Sequence, residues 1–177
     1  RRRLFVVATR EGKPKWPKPT HGPGRKKPYH TALEIIDPAI PAPSVLDAKI
    51  KSDPVKMRIV RALVKWTQEN KPVLARVGSK TYALALIPVG FGERTTGARR
   101  QALRTQDIRQ PIGTIVAGGV KHALAMFELG SRPRQGIDAW VRRWGGPPGL
   151  RVGGMHVTDI RFRRLVPEEL KLGQGLP

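Results

Sequence analysis

The chain has 177 residues, a length typical of one domain or slightly more than one. It carries 34 Lys and Arg against 13 Asp and Glu, a formal net charge of +21, so we expect a polyanionic partner, and nucleic acid before an anionic membrane. The absence of cysteine excludes disulfides, thiolate metal sites and thiol nucleophiles within the chain, and 19 Gly with 17 Pro argue against a helical bundle.

The first predicted elements are a strand, a basic loop and a helical turn. Leu4 to Thr9 form a short apolar, β-branched run, which predicts a strand. Residues 10–29 hold eight Pro or Gly among many Lys and Arg, which indicates an exposed loop. Residues 31–36 are expected to form a single helical turn.

A longer helix is predicted from Asp53 to about Asn70, because Asp53-Pro54 supplies an N-cap acid followed by proline at the first helical position. Its apolar face consists of Val55, Ile59, Ala62, Leu63 and Trp66. A basic stripe on another side consists of Arg58, Arg61 and Lys65. We interpret this stripe as a solvated helix face and not as a DNA contact.

Strands and loops are predicted for the middle of the chain. Residues 82–89 predict a buried strand, and residues 90–100 a loop rich in Gly and Arg. Thr114 to Ala117 predict another strand.

The last third is predicted to hold a segment at 122–129 that fits a strand or a helix, and then a loop at 145–154. Residues 156–165 predict a strand and residues 167–174 a short helix. Glu168 and Glu169 lie in the first turn of that helix, where its dipole favours acids.

Motifs for catalysis by this chain alone are missing. The sequence has no Gly-rich phosphate loop of the usual spacings, its carboxylates are scattered, and its four histidines have no metal-ligand spacing. No serine lies in a nucleophile-elbow pattern. Composition and spacing therefore predict a basic, loop-rich, nucleic-acid-binding chain without a metal site.

Three segments resemble motifs of DNA cytosine-5 methyltransferases, in the family's order. Residues 1–10, RRRLFVVATR, are similar to the motif in which two arginines, one residue apart, precede a hydrophobic strand. Residues 110–124, QPIGTIVAGGVKHAL, resemble the penultimate motif, a Pro-Leu-x-Thr strand followed by small residues. Residues 159–177, DIRFRRLVPEELKLGQGLP, resemble the start of the last motif, Arg-x-Leu-x-Pro-x-Glu followed by Gln-Gly-Phe-Pro.

The third match is the most specific of the three. Its matching residues are Arg163, Leu165, Pro167, Glu169, Gln174, Gly175 and Pro177. A weaker match, residues 31–37, resembles an Ala-x-x-Ile-Asp stretch that follows the arginine motif in many members. The sequence departs from the family at Pro38, where Trp is usual, and at Val166 and Glu168, where Thr and Arg are usual. Val166 lacks the side-chain oxygen of a helix N-cap, so the last helix is expected to start less firmly.

The resemblance implies the C-terminal part of an α/β S-adenosylmethionine-dependent methyltransferase. Residues 1–10 would be an edge strand of the catalytic domain, residues 11–109 the target-recognition region, and residues 110–177 the return into the catalytic domain. This part itself is expected to consist mostly of short β-strands and loops with a few helices.

The family transfers a methyl group from S-adenosylmethionine to C5 of cytosine in double-stranded DNA, through a flipped-out base and a cysteine nucleophile. The chain has no cysteine, so it is expected to be inactive by itself, and the cofactor is expected to bind mainly to a missing catalytic part. A restriction–modification or phage setting in the cytoplasm is typical of the family. No apolar run has the length of a membrane span.

Candidate DNA-side residues follow from the matches. Arg1 and Arg3 match the two motif arginines; Arg3 would contact the flipped cytosine or hold the catalytic loop, and Arg1 would support it or bind phosphate. Thr114 matches the threonine of the penultimate motif. The Gly-rich loop adds candidates for groove or phosphate contact, namely Arg94, Arg99, Arg100 and Arg104.

Two alternatives remain open at this point. The chain would be a non-enzymatic basic nucleic-acid-binding protein, such as a ribosomal or nucleoid component, if the motif matches carry no meaning. It would be the DNA-binding half of a split or inactive methyltransferase if a partner supplies the nucleophile or none does.

Overall fold

The computed structural model describes residues 10–13, 24, 27–69, 72–89, 105–113 and 121–173. The chain divides into two compact units, residues 1–30 and residues 31–177. In the first unit the described residues are exposed, in agreement with the exposed basic loop predicted there. The strand predicted at residues 4–9 lies outside the described residues.

The second unit is built on an antiparallel sheet. Its strands are β1 (Val73–Val77), β2 (Lys80–Pro88), β3 (His122–Gly130), β4 (Arg151–Val152) and β5 (Met155–Arg164). They lie in the order β1-β2-β3-β5-β4, and every neighbouring pair is antiparallel. The described residues also form a 3-10 turn (Ala32–Glu34) and the helices α1 (Asp53–Glu69), α2 (Ile137–Arg143) and α3 (Pro167–Gly173). This mixed architecture, mostly strands and loops with a few helices, confirms the coarse prediction of fold class.

Both faces of the central strands are buried, because successive side chains of a strand point to opposite faces of the sheet. Small residues of β2 and β3 belong to the cluster that α1 covers, namely Ala83, Ala85, Ala123 and Ala125. Their neighbours belong to the cluster on the other face, namely Tyr82, Leu84, Leu86, Leu124 and Met126. Alanine on the α1 side lets the helix lie close to the sheet.

The second face is covered by irregular chain. The covering residues are Ala32, Ile35, Ile36, Ala42, Ile108 and Leu165, with Ile112 and Leu170 packed against them. Two backbone hydrogen bonds fix this cover, from Ala32 N–H to Gln110 O at 2.9 Å and from Leu33 N–H to Ile108 O at 3.0 Å. The sheet therefore has α1 and α2 on one side, and mostly irregular chain with one residue of α3, Leu170, on the other.

Most of the predicted elements are confirmed where they fall on described residues. The turn at 31–36, the helix from Asp53, the buried strand at 82–89, the strand at 156–165 and the helix from Pro167 are all present. The ambiguous segment 122–129 is strand β3. The predicted loop at 90–100 and the predicted strand at 114–117 lie outside the described residues.

One prediction for α1 was wrong. Arg58, expected on a solvated face with Arg61 and Lys65, is buried with 2% of its surface exposed. Its Nη1 donates a hydrogen bond of 2.7 Å to the carbonyl oxygen of Pro88 at the end of β2. Because α1 lies against β2, this position of the helix meets the strand end and not water, whereas Arg61 is exposed.

Strand β4 and the turn that joins it to β5 lie inside the segment predicted as a loop at 145–154. The two turn residues, Gly153 and Gly154, have φ values of 57° and 82°. A two-residue hairpin whose central residues both have positive φ is favoured when both are glycine. The Gly-Gly pair therefore lets β4 fold back beside β5, where it is the last strand of the sheet.

Candidate nucleic-acid interface

A buried ion pair joins the end of β5 to α3. Arg163 donates two hydrogen bonds to Glu169, at 2.8 Å to Oε2 and 2.7 Å to Oε1, and the two side chains are only 7% and 3% exposed. Arg163 Nη2 also donates to the backbone oxygen of Asp37 at 2.8 Å, and the Asp37 N–H donates to Glu169 Oε1 at 3.0 Å. These contacts tie together residues 126 and 132 positions apart in the chain.

The same carboxylate holds the start of α3. The backbone N–H of Val166, which immediately precedes the helix, donates to Glu169 Oε2 at 2.9 Å. This is one half of a capping box, in which an acid at the third helical position bonds back to the N-cap residue. The other half is missing because valine has no side-chain oxygen, as the sequence indicated. Glu169 therefore serves as ion-pair partner and helix cap together.

The environment of Glu169 lowers the pKa of its carboxyl group. Burial by itself would raise that pKa, but the hydrogen bonds from Arg163 and from the backbone N–H groups of Val166 and Asp37 outweigh it. A carboxyl group whose pKa is lower in the folded than in the unfolded state stabilises the fold above its unfolded-state pKa. That contribution is lost as the pH falls through the folded-state pKa.

We expect the free energy of unfolding to decrease as the pH falls below about 4.5, the ordinary pKa of Glu. Glu169→Gln should flatten this decrease, because glutamine does not titrate. Urea unfolding across a series of acidic pH values measures the effect. Glu168→Gln, at an exposed neighbouring position, is the matched control and should keep the wild-type slope. Equal slopes for the two variants would contradict this role of Glu169.

The described parts of three motif-matching segments meet on one face of the sheet. Ile36 from the weaker match, Ile112 and Leu124 from the penultimate motif, and Leu165 and Leu170 from the last motif pack in the same apolar cluster. The backbone N–H of Leu165 donates to the oxygen of His122 at 3.1 Å, which joins the second and third matches directly. Segments far apart in the chain thus form one structural unit.

Several of the described acids are engaged by neighbouring cations. Close ion pairs join Asp53 to Lys56 at 2.9 Å, Asp107 to Arg109 at 2.9 Å, and Glu128 to Lys80 at 2.8 Å. Many other cations are exposed, namely Lys49, Lys51, Arg61, Arg76, Arg132, Arg142, Arg143, Arg151, Arg164 and Lys171. Because acids are few and several of them are paired, the surface presents a surplus of positive charge, which attracts polyanions.

A second polar network holds the loop at residues 43–48 against β5. Ser44 Oγ donates to the buried Asp159 Oδ1 at 2.6 Å. The Val45 N–H donates to Ile160 O at 2.8 Å, and the Phe162 N–H donates to Pro43 O at 3.1 Å. Next to this loop, Arg134 bonds both oxygens of Asp47, at 2.9 and 3.1 Å, and these hydrogen bonds are the main reason that the pKa of Asp47 is lowered.

Aromatic and cationic side chains also meet where α2 packs near α1. The rings of Trp140 and Trp144 lie 6.5 Å apart between centroids. Lys56 Nζ lies 4.4 Å from the centroid of the Trp144 ring, and the guanidinium carbon of Arg143 lies 5.5 Å from it. Such cation–π contacts hold positive charge at the surface beside apolar area.

The structure does not describe the residues that the sequence analysis predicted to contact DNA. Arg1, Arg3, Arg94, Arg99, Arg100, Arg104 and Thr114 all lie outside the described residues. Their roles stay predictions. The sequence reasoning missed the Ser44–Asp159 and Asp47–Arg134 contacts, whose partners are 115 and 87 positions apart and carry no local signal.

No site for S-adenosylmethionine can be assigned within the described residues. The pocket between the loop at residues 43–52 and the end of β5 is lined by basic and apolar side chains and one serine, without a carboxylate, which does not suit a sulfonium cation. Glu128 and Asp159, which line a second pocket, are engaged by Lys80 and Ser44. The described residues hold no group of three or more His, Asp or Glu side chains able to bind a metal ion.

Comparison with protein-family models, curated proteins and solved structures finds no match to this chain. Within the part of the chain that the structure describes, the helices are too short or too polar to cross a bilayer.

Proposed function

We propose that the chain is part of a DNA (cytosine-5) methyltransferase, and that this part binds and recognises the DNA. The full enzyme transfers the methyl group of S-adenosylmethionine to C5 of cytosine. The observation that carries the proposal is the buried network of Asp37, Arg163 and Glu169. Arg163 and Glu169 are two residues of the most specific motif match, and Asp37 ends the weaker one.

Packing supports the same proposal. Residues from the described parts of these segments share one apolar cluster, and backbone hydrogen bonds join the segments to one another. The Asp37 contacts are made by its backbone, so they depend on where the segment lies and not on its side chain. The family order of the motifs and their common location are therefore separate supports.

Charge supports DNA as the partner. A net charge of +21, with several of the few acids paired, favours association with phosphates, because neutralising the phosphates releases condensed counterions. Double-stranded DNA supplies such phosphates. In the proposed reaction, cytosine is the base that the enzyme methylates.

The test is transfer of a tritiated methyl group from S-adenosylmethionine to unmethylated DNA by the full-length gene product. We expect activity, and we expect Arg3→Ala to reduce it roughly hundredfold or more, the effect of removing one positioned donor at a reacting group. Arg2→Ala is the matched control, because Arg2 lies between the two matching arginines, and it should retain most of the activity.

A gene product that binds DNA but never transfers a methyl group would overturn the enzymatic proposal. The strong positive charge then favours a non-enzymatic nucleic-acid-binding protein, or the DNA-binding half of a split or inactive methyltransferase. Adding candidate partner chains that carry a cysteine nucleophile separates these two readings, because only the split enzyme gains activity.

A further inference from the structure

A pocket of about 520 Å³ lies between the loop at residues 43–52, the start of α1 and the end of β5. Its apolar lining comes from Pro43, Ala48, Ile50, Val55 and Phe162. Three exposed cations also line it, namely Lys49, Lys51 and Arg164. The volume is within the range of roughly 300–1,000 Å³ that is typical of ligand pockets.

We propose that this pocket binds the sugar–phosphate backbone of double-stranded DNA. Phosphate oxygens would contact Lys49, Lys51 and Arg164, and a deoxyribose would lie on the apolar lining at Phe162. The inference rests on the proposed function and names the surface through which this part of the protein holds its substrate.

The cations of the pocket are exposed and available to phosphate. The acids nearest to Lys49 and Lys51 in the chain are engaged elsewhere, because Asp47 bonds Arg134 at 2.9 Å and Asp53 bonds Lys56 at 2.9 Å. Arg163, which also lines the pocket, has its charge balanced by the buried Glu169. No acidic side chain lines this pocket in the described part of the chain, so its field is positive.

The pocket is also held in shape. Two backbone hydrogen bonds and the Ser44–Asp159 contact at 2.6 Å attach residues 43–45 to β5. At the other end of the loop, the backbone oxygen of Ser52 accepts from the N–H groups of Val55 and Lys56 in the first turn of α1. A loop fixed at both ends presents Lys49 and Lys51 without the ordering cost that a flexible segment would incur on binding.

The experiment measures the salt dependence of DNA binding by the full chain, using the fluorescence anisotropy of a labelled duplex. The pocket variant combines Lys49→Gln, Lys51→Gln and Arg164→Gln. The control variant removes the same number of charges from other exposed positions and combines Arg61→Gln, Arg76→Gln and Lys171→Gln. Because all six side chains are exposed, both variants should keep the wild-type unfolding midpoint and circular dichroism spectrum.

Each phosphate contact adds about 0.9 to the slope of log K against log salt concentration. We expect the pocket variant to lower the magnitude of the slope by roughly 2.7, the control variant to change it much less, and a charge-preserving Lys49→Arg, Lys51→Arg variant to retain it. Equal slopes for the pocket and control variants would overturn the proposal. The proposal would also be overturned if the pocket variant lost affinity for a mononucleotide but kept the wild-type affinity for the duplex, because the pocket would then be a mononucleotide site.

Failure of the pocket is distinguishable from failure of the proposed function. If the full-length gene product methylates DNA while the pocket variant keeps the wild-type slope, the enzyme stands and the pocket assignment falls. If the wild-type chain shows no salt-dependent affinity for duplex, DNA binding by this part falls together with the pocket.

Discussion

Arg163→Met is expected to lower the free energy of unfolding by about 3–5 kcal/mol, the usual cost of removing one partner from a buried ion pair. The substitution leaves the carboxylate of Glu169 in a site where it is 3% exposed, with only backbone donors as partners. Methionine fills much of the volume of arginine, so the loss reflects the unpaired charge and not a cavity. Urea unfolding at neutral pH, analysed by linear extrapolation, measures it.

The double variant Arg163→Met, Glu169→Leu separates the charge effect from packing. Replacing both members of a buried pair by apolar residues is often close to neutral, so the double variant should recover most of the loss. Some loss will remain, because the Val166 and Asp37 N–H groups no longer have their acceptor.

The control for this prediction is Arg164→Met at the adjacent exposed position, with an expected change within about 0.5 kcal/mol. In Arg163→Met the Glu169 carboxyl is no longer stabilised as an anion by the guanidinium. The deficit of that variant should shrink as the pH falls and Glu169 is protonated. A deficit independent of pH would mean that Arg163 stabilises the fold through packing and its hydrogen bonds to backbone oxygens, and not through the ion pair with Glu169.

The elements that the sequence predicted well are those with strong local signals. Helix α1 has the Asp53-Pro54 start and an apolar face that is buried in the structure, and α3 likewise begins at a proline. Strand β2 is a continuous apolar run because both of its faces are covered. Segment 122–129 stayed ambiguous for the same reason, since a strand buried on both faces loses the alternation that distinguishes it from a buried helix.

Two elements were missed because their local signals are weak. Strand β1 has only five residues, with Leu74 and Arg76 pointing outward, and it lies at the edge of the sheet. Helix α2 has only seven residues, and its N-cap residue is Gly136, which has no side chain to cap the helix. The burial of Arg58 depends on its contact with Pro88, which lies thirty residues away in a strand. The helical periodicity of the sequence cannot predict such a contact.

In the candidate site, too, the sequence predicted individual residues but not the contacts between distant segments. The motif match identified Arg163 and Glu169, which are six positions apart, but not that they pair or that Asp37 completes the network. The pocket cations Lys49, Lys51 and Arg164 were not singled out at all, because their proximity arises from the attachment of the loop at 43–52 to β5. Contacts between distant segments follow from tertiary packing, and a single sequence does not display them.

Phe127→Ala is the second substitution with a large expected effect, a loss of about 3–5 kcal/mol in the free energy of unfolding. Phe127 is fully buried in β3, the central strand of the sheet, with Ala83 of β2 and Ile160 of β5 as its cross-strand neighbours. Its ring fills space that the small alanines of this face leave below α1. Truncation therefore removes apolar contacts and leaves a cavity that neighbouring alanines cannot fill.

The matched control is Leu74→Ala, a truncation on the edge strand at a side chain that is 51% exposed, for which we expect a change within about 0.5 kcal/mol. Guanidinium unfolding monitored by tryptophan fluorescence measures both variants, and an unchanged m-value would show that only stability differs. Phe127→Leu should lose less than Phe127→Ala, because it leaves a smaller cavity. Equal losses for Phe127→Ala and Leu74→Ala would mean that the face under α1 is not the main core. In that case the main stabilising core would be the apolar cluster on the opposite face of the sheet, where the motif-matching segments pack.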